Sequence, residues 1–215
     1  MAITINGSGT ITGLTAGGLP DGSVTNADLE YAGTAGQVLT SQGSGSAPQW
    51  TTVSASNLTR LTAVATTSGS SVDFTSLPSG IRKLYVVMNG VKSSSTGTFM
   101  VQLGDSGGLE TSGYISGSRL HYASGASVYH ERTDSFVIFN DATEFYINTI
   151  VEIVNISGNR WVSTHTTFHS DRSAYPGSTG HGAGRKELSA ELTQLRITLS
   201  TGTFTSGLVN VLYEV

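Results

Sequence analysis

The last part of the chain alternates between apolar and polar residues with a period of two. In the segment 192–199, Leu195, Ile197 and Leu199 share one face, and polar side chains occupy the other. A polar insert with two glycines, 200–207, separates this segment from a second apolar segment, 208–215. A period of two is typical of a pleated strand, and a glycine-bounded polar insert indicates a reversal of the chain. We therefore predict two strands joined by a hairpin or a longer reversal.

The final strand differs from the others because both of its faces are apolar. One face carries the four residues Val209, Val211, Tyr213 and Val215. The other face carries Leu208 and Leu212. Since a strand at a chain end usually frays, we predict that this one lies at a sheet centre or at a subunit interface. The first face is expected to fill the core, and Leu208 and Leu212 are expected to approach a neighbouring sheet or subunit.

Short apolar segments follow one another from Ser56 onward. They predict strands at 58–66, 71–75, 81–91, 98–104, 119–122, 127–130, 134–139, 144–155, 160–168, 192–199 and 208–215. No segment shows a sustained helical period, so the predicted class is all-β, and the succession fits a jelly-roll-like β-sandwich over 51–215. Trp161 falls within one of these strands and is expected in the core. The longest polar interruption, Ser170 to Glu187, predicts a functional or mobile loop.

The first 50 residues differ from the rest of the chain. They contain no Lys or Arg, three acidic residues and few large apolar side chains. So little apolar surface does not offset the entropy of ordering the chain. We therefore expect an extended arm, 1–50, that is either disordered or, as we prefer, ordered by a partner. Within the arm, 37–40 has the composition of a short strand before a Ser/Gly loop at 41–47.

Composition supports the all-β class and argues against several functions. Glycine, serine and threonine make up 27, 30 and 29 of the 215 residues, and charged residues only 12%, which favours strands and turns. The net charge is −4 and the chain has no Lys/Arg-rich run, so it lacks the basic surface with which proteins bind nucleic acid. The absence of cysteine excludes disulfides and thiolate metal sites. Without an export signal or an apolar run of about 20 residues, we expect synthesis in a cytoplasm without a signal peptide and no membrane insertion.

Two segments of the arm resemble sequences that recur in the tail fibre proteins of bacteriophages. They are GLPDGSVTNAD at 18–28 and GQVLTSQGSGSAPQW at 36–50. In the β domain, the segments 101–108, 195–199 and 206–214 resemble the terminal domain of the same proteins. The resemblance implies a homotrimeric virion appendage, whose N-terminal part joins other virion proteins and whose C-terminal β domain meets the host. It supplies no catalytic residues.

The segment Gly104-Asp-Ser-Gly-Gly108 matches the surroundings of nucleophilic serines in hydrolases. All five histidines follow Ser106, which does not fit the trypsin-like order, and no helix pattern follows, which the G-x-S-x-G elbow requires. Without a base, a serine hydroxyl is a weak nucleophile. We interpret the segment as a glycine-rich turn in which Asp105 caps local amides. We predict no catalytic residue and a protein that is not an enzyme.

A possible metal pair, His165 and His169, depends on the local conformation. In an extended strand the two imidazoles share a face but lie roughly 13 Å apart, too far to share one ion. The surrounding Thr and Phe residues favour the strand. Asp171 and His181 could complete a site across the predicted loop, but exposed polar positions are the preferred interpretation. We predict no metal and no cofactor.

Tyrosines in or beside Gly/Ser-rich loops are the best candidates for a binding surface. A tyrosine can stack on a sugar ring and hydrogen-bond its hydroxyls at a low entropic cost, although it can equally pin its own loop. Together with two polar neighbours, the predicted receptor or glycan site consists of Tyr114, Tyr122, Tyr129, Tyr175, His181 and Arg185.

These observations predict a structural protein of a phage virion, of the tail fibre type. It is expected to adhere to the host through loops of a trimeric β domain, with a host surface glycan as ligand and a surface protein as the next choice. Two alternatives stay open. The first is a capsid decoration or head-fibre protein, since the chain has no long shaft, and the second is a hydrolase of surface polysaccharide.

Overall fold

A computed structural model describes residues 34–44, 46–53, 58–122, 124–138, 145–170 and 177–215. Contacts divide the chain into the units Met1–Ala55 and Ser56–Val215, which we describe separately. Within the described residues the regular elements are all β-strands and every strand pairing is antiparallel. In the same residues, no helix has the length and apolar character needed to cross a membrane.

The described part of the first unit contains one hairpin. Strand β1 (Gln37–Thr40) pairs with β2 (Gln49–Thr52), with Leu39 opposite Trp50. The hydroxyls of Thr40 and Thr51 lie 2.6 Å apart and add a side-chain hydrogen bond to the ladder. The strand predicted at 37–40 is therefore confirmed, whereas the arm from 1 to 33 lies outside the described residues.

The second unit contains two sheets. In chain order, its strands are β3 (Leu58–Arg60), β4 (Val64–Ala65), β5 (Ser71–Phe74), β6 (Lys83–Ser93), β7 (Phe99–Asp105), β8 (Gly108–Leu109), β9 (Ile115–His121), β10 (Ser127–Arg132), β11 (Phe136–Ile138), β12 (Tyr146–Ser157), β13 (Arg160–Ser170), β14 (Ser178–Glu187), β15 (Gln194–Leu199) and β16 (Phe204–Glu214). The larger, nine-stranded sheet has the order β10-β9-β14-β13-β12-β6-β16-β3, and β4 also pairs with β16. The smaller, five-stranded sheet has the order β11-β7-β15-β5, and β8 also pairs with β7. The predicted all-β class is confirmed.

The core contains the inward residues of both sheets. On the larger sheet, Leu84, Val86 and Ile153 are fully buried, as expected from the alternation in β6 and β12. Leu103 and Ile197 of the smaller sheet belong to the same apolar cluster. Trp161 also belongs to it, as predicted. Since burial of apolar surface is the main stabilising term in folding, this shared cluster holds the two layers together.

The closing strand, β16, is an interior strand, as its two apolar faces predicted. It pairs with β6 on one side and with β3 and β4 on the other. Val209 and Val211 are buried and Tyr213 is partly buried against the core, but the prediction for Val215 is wrong because this side chain is 52% exposed. Leu208, on the opposite face, is 48% exposed within one chain.

The loop predicted at 170–187 is largely a strand. Ser178–Glu187 forms β14, which lies inside the larger sheet between β13 and β9. Its glycines suggested a loop, but they have a packing role. A Cβ on Gly182 would overlap the imidazole of His165, and one on Gly184 would come within 2.8 Å of the Phe136 ring. Glycine inside a strand often marks such a close approach.

We predict that Gly182→Val destabilises the protein, although valine favours strands in general. The added side chain would meet His165 and the backbone of Gly117, and overpacking of this kind costs about 1–3 kcal/mol. Urea unfolding of the full chain measures the change. Ala183→Val is the matched control, because Ala183 is exposed on the opposite face of the same strand. Equal stability of the two variants would contradict this role of Gly182.

Candidate functional site

The face of the larger sheet that points away from the smaller one carries an open depression of about 880 Å³. We call it the outer groove. It crosses β10, β9, β14 and β13, and we define it by Ile115, Gly117, Arg119, Tyr129, Glu131, Val162, Thr164, His181, Ala183 and Arg185. These residues lie on one face of the sheet. They occupy alternate positions along each strand, and the strand pairing sets them opposite one another on neighbouring strands.

The floor of the outer groove is made of small residues and one aromatic ring. Gly117 of β9 lies opposite Ala183 of β14. A Cβ on Gly117 would overlap the Tyr129 side chain, so the absent side chain gives this ring room to lie over the strand. Tyr129 is still 50% exposed. A half-exposed ring above a glycine offers a flat platform for a ligand.

A hydrogen bond and a cation–π contact hold the Tyr129 ring in place. Its hydroxyl donates to Glu131 Oε1 at 2.9 Å, and this bond raises the pKa of Tyr129. The guanidinium carbon of Arg119 lies 5.5 Å from the ring centroid, and its Nη1 donates to Ser127 Oγ at 3.0 Å. The platform is thus oriented by its own neighbours before any ligand arrives, which reduces the entropic cost of binding.

Cationic and imidazole groups lie at the two ends of the outer groove. Arg185 lies opposite Ile115 at one end, and His181 lies opposite Arg119 at the other. The rings of His181 and His121 are stacked, with centroids 5.1 Å apart and an interplanar angle of 19°. Guanidinium and imidazole groups are hydrogen-bond donors, so each end of the groove can bind oxygen atoms of a ligand.

Three of the predicted site residues come together in this groove. Tyr129, His181 and Arg185 all line it. Tyr122 is half-buried at the reversal between β9 and β10, where its amide donates to the Ala126 carbonyl, and it does not line the groove. Tyr175 lies outside the described residues.

The assignment of Tyr114 to a receptor surface is wrong for the folded chain. This side chain is only 1% exposed, and its hydroxyl accepts a hydrogen bond from the Leu103 amide at 2.7 Å. Its ring packs edge-on against Phe136 with centroids 5.1 Å apart. Burial raises the pKa of Tyr114. Tyr114 therefore connects the two sheets and is not available to a receptor.

The sequence interpretation missed Arg119, Gly117 and Ala183. Arg119 fell in a predicted strand, but its face could not be assigned without the partners of that strand. Ala183 fell in a predicted loop, which concealed its position opposite Gly117. The usable signal was the regular spacing in 179–185, where glycine occupies every second position and a residue with a side chain occupies the others.

The histidine pair lies in a strand as predicted, but its predicted exposure is wrong. His165 and His169 are 5% and 0% exposed on the inward face of β13. His165 Nε2 lies 3.1 Å from Ser118 Oγ, whereas within the described residues neither ring nitrogen of His169 has a hydrogen-bond partner. Burial lowers the pKa of each histidine to about 4. In the described part of the chain, no three His, Cys, Asp or Glu side chains gather as a metal site would require.

The segment 104–108 forms a turn that is tied by Asp105. Asp105 Oδ1 accepts a bond from the Gly107 amide at 2.7 Å, and Oδ2 accepts one from Ser189 Oγ at 2.6 Å. These bonds, that of Ser189 first, lower the pKa of Asp105. The local capping role predicted for Asp105 is confirmed. Ser106 is exposed, and the hydrogen bonds of the described residues bring no histidine to it.

A buried ion pair supports the same turn from β14. Lys186, whose side chain is 4% exposed, bonds Glu110, and the Ser189 amide donates to Glu110 Oε1 at 2.6 Å. Burial opposes ionisation of Glu110, but the bonds from Lys186 and Ser189 outweigh it and lower the pKa of this carboxyl. The charges of Lys186 and Glu110 therefore compensate each other, and we assign this ion pair a role in stabilising the fold.

Comparison with known proteins adds no assignment. No family model matches the chain, and no match was found among curated proteins or solved structures.

The buried histidines predict that the protein loses stability in mild acid. Between pH 6.5 and about 4, the unfolded chain binds protons on His165 and His169 that the folded chain does not. Stability is therefore fully present above pH 6.5 and falls as the pH drops towards 4, by about 3 kcal/mol for each histidine. Urea unfolding at pH 7.5, 6 and 4.5 measures the loss.

His169→Leu is the informative variant, because it removes an unpaired buried imidazole and should reduce the loss of stability by about half. His130→Ala, at an exposed histidine of β10, is the control and should keep the full pH dependence. The carboxyls of Asp105 and Glu110 titrate at lower pH, since their pKa values lie below the usual range. An equally steep loss in His169→Leu would contradict the assignment.

Proposed function

We propose that this chain is a non-enzymatic structural protein of a bacteriophage virion, of the tail fibre type, and that it attaches the particle to a host surface glycan. The outer groove is the observation that carries the proposal. It combines a half-exposed ring, Tyr129, with guanidinium groups at Arg119 and Arg185 and with a floor of small residues. An aromatic platform surrounded by hydrogen-bond donors suits sugar rings and their hydroxyls.

The shape of the groove favours a weak, repeated contact. It is open to solvent along its length and crosses only four strands, so a single copy buries little of any ligand. Three copies on one appendage would engage a repetitive surface together, and avidity would provide the strength that one site lacks. Adhesion by a homotrimer therefore needs no deep pocket.

We further propose that the second unit is a jelly-roll-like domain whose trimer contact lies at the β16 end of the larger sheet. Leu208 and Leu58 are 48% and 41% exposed there, and Leu212 is half-buried. These leucines belong to the outward face of β16 and β3, because Leu208 and Leu212 alternate with the buried Val209 and Val211. A neighbouring copy would cover them.

The arm, 1–50, is proposed to join the chain to other virion proteins, in the tail rather than in the capsid. The support is its resemblance to phage tail fibre segments at 18–28 and 36–50. The protein would be made in the host cytoplasm and would become part of the virion during assembly. Immunogold labelling of intact particles tests the location. Label on the capsid would favour the alternative, a decoration or head-fibre protein.

We predict that Tyr129→Ala and Arg185→Ala each weaken binding of the full chain to host cells. Each variant removes a contact group at the surface, where truncation leaves the fold intact. A pull-down of labelled protein with host cells measures the effect, and we expect about a tenfold loss for each variant, in the range for one stacking or charge-assisted contact. Arg160→Ala is the matched control, because Arg160 is exposed but lies outside the groove.

Unchanged binding in both groove variants would refute the assignment of the groove to adhesion. The hydrolase alternative has its own readout, the length of host polysaccharide after incubation with the protein. Shorter products that disappear in Ser106→Ala would support the hydrolase and would contradict a purely structural role.

The trimer is also open to direct measurement. We expect light scattering of the full chain to give three times the chain mass of 22.3 kDa. Leu208→Asp should lower this mass without unfolding, because it places a charge in the proposed interface. Ile115→Asp changes a residue of similar exposure, 58% against 48% for Leu208, at the other end of the same face and should leave the trimer intact. A monomeric wild-type chain would refute the trimer, and a trimeric Leu208→Asp would remove this strand from the interface.

A further inference from the structure

We propose that the ligand of the outer groove is an acidic polysaccharide that carries carboxylates on its sugar rings, a uronate polymer. This inference rests on the proposed adhesive function and specifies the ligand of the same site. It follows from the charges of the groove, the exposed ring and the distance between the two guanidinium groups.

The charge of the groove is opposite to that of the whole chain. The chain has a net charge of −4, but Arg119 and Arg185 both lie on this face without an ion pair to any described residue. Glu131, the one carboxylate among the residues that define the groove, accepts the Tyr129 hydroxyl and keeps its negative charge. Arg132, at the rim, is neutralised by Asp134 through two bonds of 2.6 and 2.7 Å. The groove therefore has two guanidinium groups against one carboxylate, and this excess of positive charge favours an anionic ligand.

The form of these donors favours a carboxylate on a ring. A guanidinium is planar and bonds a carboxylate through two parallel hydrogen bonds. Tyr129, which is half-exposed, provides a flat surface, and the Arg119 guanidinium lies over the same ring, 5.5 Å from its centroid. A uronate unit can stack its pyranose ring on Tyr129 and direct its carboxylate to Arg119. A polymer of phosphate-linked alcohols has no ring for the platform.

The spacing of the cations favours a polymer over a single sugar. Arg185 lies opposite Ile115, and Ile115 precedes Arg119 by four residues on β9, which corresponds to about 13 Å along the strand. The small pair Gly117 and Ala183 lies between the two ends. A chain that lies along this floor presents separate carboxylates to the two arginines. The stacked imidazoles of His121 and His181 add donors at the Arg119 end.

Binding of the full chain to immobilised polysaccharides tests the inference. The probes are polygalacturonate and alginate, each compared with the same polymer after reduction of its carboxyl groups to neutral hydroxymethyl groups. We expect binding to at least one uronate polymer, at least tenfold weaker binding to its reduced form, and weaker binding at higher salt because the contact is ionic. Poly(glycerol phosphate) is the third probe and should bind weakly.

Charge-reversal variants locate the contact. Arg119→Glu and Arg185→Glu should each reduce binding to the uronate polymer about tenfold or more, whereas Arg160→Glu outside the groove should not. Ala183→Trp keeps every charge but fills the floor, and it should also abolish binding. Thermal unfolding of each variant identifies any loss of fold, and Arg119→Lys and Arg185→Lys, which keep the charge without the bidentate geometry, should bind with intermediate affinity.

The outcomes separate this inference from the proposed function. Equal binding of the native and reduced polymers, a preference for poly(glycerol phosphate), or no binding to either uronate polymer would overturn the acidic ligand. If Tyr129→Ala still reduced host binding in those cases, adhesion through the groove would stand with another glycan. Host binding that is insensitive to all groove variants would overturn the adhesive site itself.

Discussion

The packing of His165 and Phe136 over the glycines of β14 is the constraint on which the larger sheet depends. β14 lies between β13 and β9, and its inward positions at Gly182 and Gly184 have no side chains because rings from β13 and β11 occupy that space. The smaller sheet is thereby held close to the larger one, and Val137 of β11 donates its amide to Ser116 Oγ of β9 at 2.9 Å. The glycines of β14 have no apolar side chains of their own, so the contacts of these rings with its backbone are what pack the strand against the core.

The same constraint makes this part of the interior polar. On the same inward face as the apolar region around Leu84 and Ile153, the positions near β14 contain Ser118, His165 and His169. Buried imidazoles are stable only in the neutral form, so the fold has a built-in sensitivity to acid at its centre. Lys186 of β14 forms an ion pair with Glu110, which follows β8, and this pair satisfies a buried charge that would otherwise be costly.

The outward positions of β14 contribute residues on which the proposed binding site depends. Because Gly182 and Gly184 point inward, His181, Ala183 and Arg185 point outward and line the outer groove with Tyr129. The groove is cationic at its ends, whereas the β16 end of the same face is apolar around Leu208. In the proposed trimer, one end of the sheet joins the copies and the other end holds the ligand. An acidic host polysaccharide would then be bound by the grooves of all three copies at once.

Alternation along the chain determined most of the fold by itself. It predicted the strands of both sheets except β8 and β14, with 58–66 as one strand where the structure has β3 and β4. It also predicted the inward position of Val209 and Val211 and the interior place of β16, because a period of two is a local property of the backbone. The tertiary structure decided that β14 is a strand, that Tyr114 is buried, and that Arg119 and Arg185 share one groove with Tyr129. These features depend on neighbours that are distant in sequence. In the sequence, a glycine in a loop cannot be distinguished from a glycine in a strand that packs under an imidazole. Only the position of the His165 ring shows that Gly182 belongs to a strand.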